Sequence, residues 1–124
     1  MKEMLDGERM LIAVAGPYSA PTDAERQANL DAMNLAAAEV MRRGHIPVIG
    51  VNAALPVVDA LDPDDPYGAI MAISLGVVGC CDALLLIGES PGANKERDLI
   101  TSKGRPVYLS LDDVPMADSS SSSK

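Results

Sequence analysis

The chain has 124 residues, of which 48% are hydrophobic and 23% charged, and 10 basic residues against 18 acidic ones give a net charge of −8. This is one globular domain's worth of sequence, too apolar for a disordered chain and without the run of ~20 apolar residues that a spanning helix needs. The negative balance, with three Tyr and no Phe or Trp, argues against binding a nucleic-acid polymer by charge or by base stacking.

In chain order, the segment MKEMLDGERM mixes charges of both signs before any apolar run, which does not read as a secretory signal, so a cytoplasmic protein is expected. Met10–Ala15 is a β-competent run that stops at the turn signal Gly16-Pro17. Thr22-Asp-Ala-Glu25 has the form of a capping box. It opens a helix that runs to Arg43, with Leu30, Met33, Ala37, Val40 and Met41 at helical spacing. Gly44 then supplies the left-handed residue that ends it.

Ile46–Ile49 predicts a short second strand, placed at an edge by Pro47. Gly50–Pro66, with three Pro and four Asp (59, 62, 64 and 65), reads as a long connection. Tyr67–Gly79 predicts a second helix capped near Asp65. Ala83–Ile87 is continuously apolar, the pattern of a strand covered on both faces. A Gly/Pro loop follows over 88–93, then a third helix over Asn94–Lys103, and a fourth strand over Pro106–Leu109. The domain is expected to span 1–115, with residues 116–124, which include five consecutive Ser, as a disordered tail.

Alternating strands and helix-length connections imply parallel pairing with right-handed crossovers. The expected fold is therefore a three-layer α/β, Rossmann-like or flavodoxin-like sheet of four to five strands, in the order 2-1-3-4, with helices on both faces. Ligands in such sheets bind outside the carboxyl ends of the strands, where the strand order reverses. That rule nominates two neighbouring loops.

The first is Gly16-Pro17-Tyr18-Ser19, where a glycine allows close approach to the backbone and a tyrosine offers a ring face and a hydroxyl. The second runs from Gly88 through Ser90, Gly92 and Asn94 to Glu96 and leads into a helix N-terminus, whose amides and the Ser90 hydroxyl suit an anion. The plainer account is that Tyr18 covers the top of the core and that Glu96 is a first-turn acid favoured by the helix dipole.

Ala15-Gly-Pro-Tyr18, Cys81-Asp-Ala-Leu-Leu-Leu-Ile87 and Ser90-Pro-Gly-Ala-Asn-Lys-Glu96 together resemble the nucleoside 2-deoxyribosyltransferase-like proteins. The resemblance covers most of Met10–Leu109 and is nearest to the short branch related to deoxynucleoside 5′-monophosphate N-glycosidases. It implies that Glu96 is a nucleophilic carboxylate attacking the anomeric carbon, that Tyr18 orients it, and that Ser90 contacts a phosphate. Gly16, Pro17, Ser19, Gly92 and Asn94 would then line the substrate. A nucleoside or its 5′-monophosphate is the implied small-molecule partner, with no cofactor, no metal, no membrane and a homo-oligomeric assembly. A carboxylate suits the chemistry, because an oxocarbenium-like transition state is stabilised by a nearby anion and a glycosyl ester splits the displacement in two.

One position departs from the family, which carries an aspartate where this chain has Ser74. A hydroxyl does not replace a general acid, and Asp59, Asp62, Asp64 and Asp65 are the candidates to reach in from the long connection. The competing reading is a catalytically inactive nucleotide-binding module on the same fold. A phospho-receiver lacks its acids at Gly16-Pro17-Tyr18, and a flavin carrier lacks aromatic walls.

The remaining polar residues read as structural. Asp82 begins the third strand, roughly 16 Å from its carboxyl end. His45 belongs to the opposite pole from the loops, and Cys80 and Cys81 read as a reduced, buried pair that supplies no metal set. Lys95 and Arg97 flank Glu96 and either attract a phosphate or face water.

Overall fold

The structure, a computed structural model, describes residues 8–117. Strands β1 (Leu11–Ala15), β2 (Ile46–Val48), β3 (Ala83–Leu86) and β4 (Val107–Tyr108) form one all-parallel sheet in the order β2-β1-β3-β4. The helices are α1 (Asp23–Arg42), α2 (Gly50–Leu61), α3 (Pro66–Val78) and α4 (Pro91–Ser102). Alternate residues of β1 serve the two faces. Ile12 and Val14 pack with Met33, Ala37 and Val40 of α1, whereas Ala13 and Ala15 pack with Val78 of α3 and with Ala93 and Ile100 of α4. The expected three-layer architecture and strand order are therefore what the chain adopts. Among the described residues no helix is long and apolar enough to cross a membrane.

Local chemistry accounts for most boundaries. Thr22 Oγ1 accepts from Glu25 N at 3.1 Å and donates to Glu25 Oε1 at 3.0 Å, so Thr22 caps α1 as expected, with Glu25 reaching back to its hydroxyl rather than to its backbone amide. Gly44 takes φ +93° after α1, a left-handed conformation in which a side chain is strained. Asp65 caps α3 by accepting from Gly68 N at 3.0 Å. Pro47 lies on edge strand β2, where Ile46 N donates to Met10 O and the next nitrogen faces outward, so no ladder bond is lost.

Two expectations are corrected. The connection over Gly50–Pro66 holds a fourth helix, α2, which none of the usual signals announces. Its N-cap Ile49 makes no side-chain capping bond, Pro56 lies inside it, and its C-cap Asp62 takes φ +51° without being glycine. The apolar stripe Val51, Ala54 and Val58 is buried and carries the helix, while Pro56 and Asn52, whose carbonyl loses its i+4 donor, both face solvent. The tail expected to be disordered from residue 116 begins in contact with the fold, because Ala117 N donates to Arg43 O at 2.8 Å. Residues 118–124 lie outside the described residues.

Candidate functional site

The loop after β1, the inner faces of α2 and α3, and the start of α4 enclose a cavity of about 500 Å³ at the carboxyl end of the sheet. This is the size and location of a small-molecule site in an open α/β sheet. Gly16, Tyr18, Ser19, Ser90, Gly92 and Glu96 line it, so the two nominated loops do meet. Pro17 and Asn94 do not line it. Pro17 instead packs against Gly88, where an added Cβ would lie 3.0 Å from Pro17 Cδ, and so it holds the two loops together.

Gly16 also works differently from the expectation of a backbone opened to ligand. A Cβ there would meet Ile87 Cγ1 at 2.7 Å, so the absent side chain is what lets the strand ends close up. Tyr18 is fixed through its backbone, where its carbonyl accepts from Asn29 Nδ2 of α1 at 2.9 Å. Its ring both rests on the core and lines the cavity, so covering the core and facing a ligand are compatible.

Helix α4 begins three residues earlier than expected, and this changes the meaning of two residues. Ser90 is the N-cap, its Oγ accepting from Ala93 N at 3.1 Å, which leaves its hydroxyl proton free to donate into the cavity. Glu96 moves from the first turn to the second. It falls on the buried stripe Ala93, Glu96, Ile100, with 7% of its surface exposed. The dipole account of Glu96 therefore fails, because that effect fades beyond the first turn.

Among the described residues nothing donates a hydrogen bond to the Glu96 carboxylate and no cation pairs with it. Burial pushes its pKa up to about 7. Near neutral pH the group holds both protonation states, which fits it to proton transfer or nucleophilic attack. No hydrogen bond joins it to the Tyr18 hydroxyl. Of its charged neighbours in sequence, Arg97 turns elsewhere, whereas Lys95 lines the same cavity without pairing with the carboxylate. Arg97 pairs with Asp98 at 3.0 Å and Glu89 at 3.7 Å, and Lys95 Nζ sits 5.0 Å from the Tyr67 ring centroid and 3.4 Å from its hydroxyl.

No protein-family model matches this chain, and no curated protein matches it.

In the wall contributed by α2 and α3 (Val51, Tyr67, Ile70, Met71 and Ser74), only Ser74 was singled out from the sequence, and Val51 was missed because Gly50–Pro66 read as loop. Ser74 stands out there. It is 1% exposed, lines the cavity, and its Oγ has no hydrogen-bond partner among the described residues. Gly50 of α2 lies opposite, where an added Cβ would be 3.0 Å from Ser74 Oγ, so small residues on both helices let them close on the pocket. The aspartates expected to reach in do not. Asp59, Asp62, Asp64 and Asp65 are all exposed and none lines the cavity. Asn94 Oδ1 is a second buried oxygen without a partner, in the first turns of α4.

At the other pole, Asp82 and His45 are structural as expected. Asp82 Oδ2 accepts from Leu11 N at 2.8 Å, and His45 bonds through both ring nitrogens. Cys81 is buried, its thiol pushed up to about 11 by burial and then by Asp82 and Cys80, and is correspondingly unreactive. Cys80, expected to be buried with it, is exposed. Among the described residues no group of three His, Cys, Asp or Glu side chains is arranged to hold a metal ion.

Proposed function

We propose that the chain cleaves the N-glycosidic bond of a deoxynucleoside or its 5′-monophosphate, with Glu96 attacking the anomeric carbon. Water as the acceptor gives hydrolysis, and a second base gives deoxyribosyl transfer. The observation that carries this reading is the buried Glu96, its carboxylate without a partner among the described residues, in a ligand-sized cavity that it shares with Tyr18. A largely buried carboxylate without an ion-pair partner is well placed to meet the positive charge that develops on the sugar. Tyr18 lines the same cavity, and Ser90 with the α4 N-terminus suits the 5′-phosphate.

The test is chromatography of deoxynucleosides and their 5′-monophosphates incubated with the protein. Free base is expected with the natural chain and none above background with Glu96→Ala.

A second reading is a nucleotide-binding module without turnover. It is favoured by the lack of a second carboxyl group among the described residues that line the cavity. Calorimetric binding of a nucleotide without any release of base would decide for it.

A homo-oligomer is part of the same proposal. Leu35 and Met41 of α1 and Val57 and Leu61 of α2 are exposed, on two helices tied at the surface by Asn52 Nδ2 donating to Asn34 Oδ1 at 2.8 Å. Sedimentation velocity is expected to show a species heavier than the 12.9 kDa chain.

A further inference from the structure

Glycosidic cleavage ordinarily uses two carboxyl groups, one to stabilise or capture the sugar and one to protonate the leaving group. Among the described residues, this cavity offers one. Its other polar side chains are the hydroxyls of Ser19, Ser74, Ser90, Tyr18 and Tyr67 and the Lys95 ammonium. None is a carboxyl or imidazole suited to donate a proton at neutral pH. A neutral purine or pyrimidine leaves as an anion unless something protonates it, so a lone carboxylate handles such a base poorly.

A second observation points the same way. Glu96 is buried with neither a cationic partner nor a hydrogen-bond donor among the described residues, an arrangement that disfavours its charged form until a cation arrives. A ligand that brings a positive charge into the cavity compensates that carboxylate, and the Tyr18 ring adds an aromatic face to the same pocket. Both deficits, the missing second carboxyl group and the missing ion-pair partner of Glu96 (Lys95 lines the cavity but does not pair with it), are met by one kind of substrate.

We propose, building on the glycosidase reading above, that the preferred substrates are N-glycosides whose base already carries a fixed positive charge, such as an N-alkylated purinium or a pyridinium. The C1′–N bond breaks with its electron pair passing to the cationic ring, so the base departs neutral and takes no proton from the protein. A Glu96 carboxylate oxygen forms the new bond to C1′. Water then attacks C1′ of this ester, its hydroxyl going to the sugar and its proton to solvent, and the carboxylate is regenerated. The unpartnered Ser74 hydroxyl holds the bound base or sugar by a hydrogen bond and transfers no proton to it.

The test compares 7-methyl-2′-deoxyadenosine with 2′-deoxyadenosine, substrates that differ by one methyl group and, at neutral pH, by one fixed charge. Base release by the natural chain is measured at pH 7.5 (roughly neutral, where Glu96 is largely ionised), and spontaneous release in the same buffer is subtracted. The methylated nucleoside is expected to show a kcat/KM at least about 100-fold higher, the low end of what a general acid supplies to a neutral leaving group. That ratio should also be no smaller than the ratio of the two spontaneous rates, because no proton donor levels it. A smaller ratio on either count overturns the proposal and leaves the glycosidase reading standing. Release of neither base above background removes the glycosidase reading, and this proposal with it.

Discussion

The two poles of the sheet handle buried polar groups in opposite ways. At the amino end, among the described residues, buried and half-buried polar groups find partners within the chain. His45, 1% exposed, accepts from Met10 N at 3.0 Å through Nδ1, and its Nε2 meets Pro115 O at 2.6 Å. Asp82 takes the Leu11 amide, and Arg105 Nη1 donates to Gly79 O and Cys81 O at 3.1 and 2.7 Å. At the carboxyl end, Ser74 Oγ and Asn94 Oδ1 are buried with no partner from the described residues, and the largely buried Glu96 makes no hydrogen bond to them. Since burying an unpaired polar group costs free energy, the first pole reads as built for stability and the second as built for a ligand.

The largest effect that separates the poles is on activity. Glu96→Gln keeps the shape of the side chain and removes its charge, and base release is expected to fall by about a thousandfold or more. In the natural chain, kcat/KM is expected to rise with pH up to about 7 as the carboxylate ionises. A rate that falls over that range would show the protonated form at work and would reverse the role of Glu96.

The same residue sets a pH dependence of stability. Its pKa is about 7 in the fold and 4.5 when exposed, so between those values the folded state holds the extra proton. Stability is therefore highest below pH 4.5 with respect to this group and is lost as pH rises to about 7, by on the order of 3 kcal/mol. Urea unfolding at several pH values should show that loss in the natural chain, and Glu96→Gln should be free of it. Parallel curves for the two proteins would mean that the carboxylate is solvated.

At the opposite pole, His45→Ala strands the Met10 amide and the Pro115 carbonyl. It is expected to cost about 2 kcal/mol in urea unfolding while kcat per folded molecule stays unchanged. Loss of activity at full stability would break the division between the poles.

How much of this was legible in the sequence follows the same division. The sheet order, α1 with its Thr22 cap, α3 with its Asp65 cap and the structural roles of His45 and Asp82 were all readable, because each rests on a local signal or on the alternation of elements. Helix α2 was not, since Ile49 cannot cap, Pro56 argues against a helix, and the stripe Val51, Ala54, Val58 stabilises it only through tertiary packing. With α2 lost, the wall that holds Ser74 against Gly50 was lost too. Glu96 was found, but in the wrong turn. Ser90 rather than Asn94 sets the helix start, and only the buried stripe of α4 shows that the carboxylate faces inward. The exposed aspartates of residues 59–65 were overvalued for the same reason, since α2 and the caps of its neighbours turn them to solvent.

The smallest effect is also the most discriminating, because it concerns two serines that line one cavity. Ser90 Oγ is bonded to the Ala93 amide, and Ser90→Ala is expected to destabilise the protein by about 1 kcal/mol through loss of the cap. Ser74 Oγ is buried and bonded to nothing described, so Ser74→Ala removes an unsatisfied group and is expected to leave stability unchanged or to raise it by up to about 1 kcal/mol. Opposite signs in paired urea titrations would show that one hydroxyl belongs to the fold and the other to whatever enters the pocket. A cost at Ser74 equal to that at Ser90 would mean that the hydroxyl is already satisfied within the protein, and the contrast between the two poles would lose one of its buried unpaired groups.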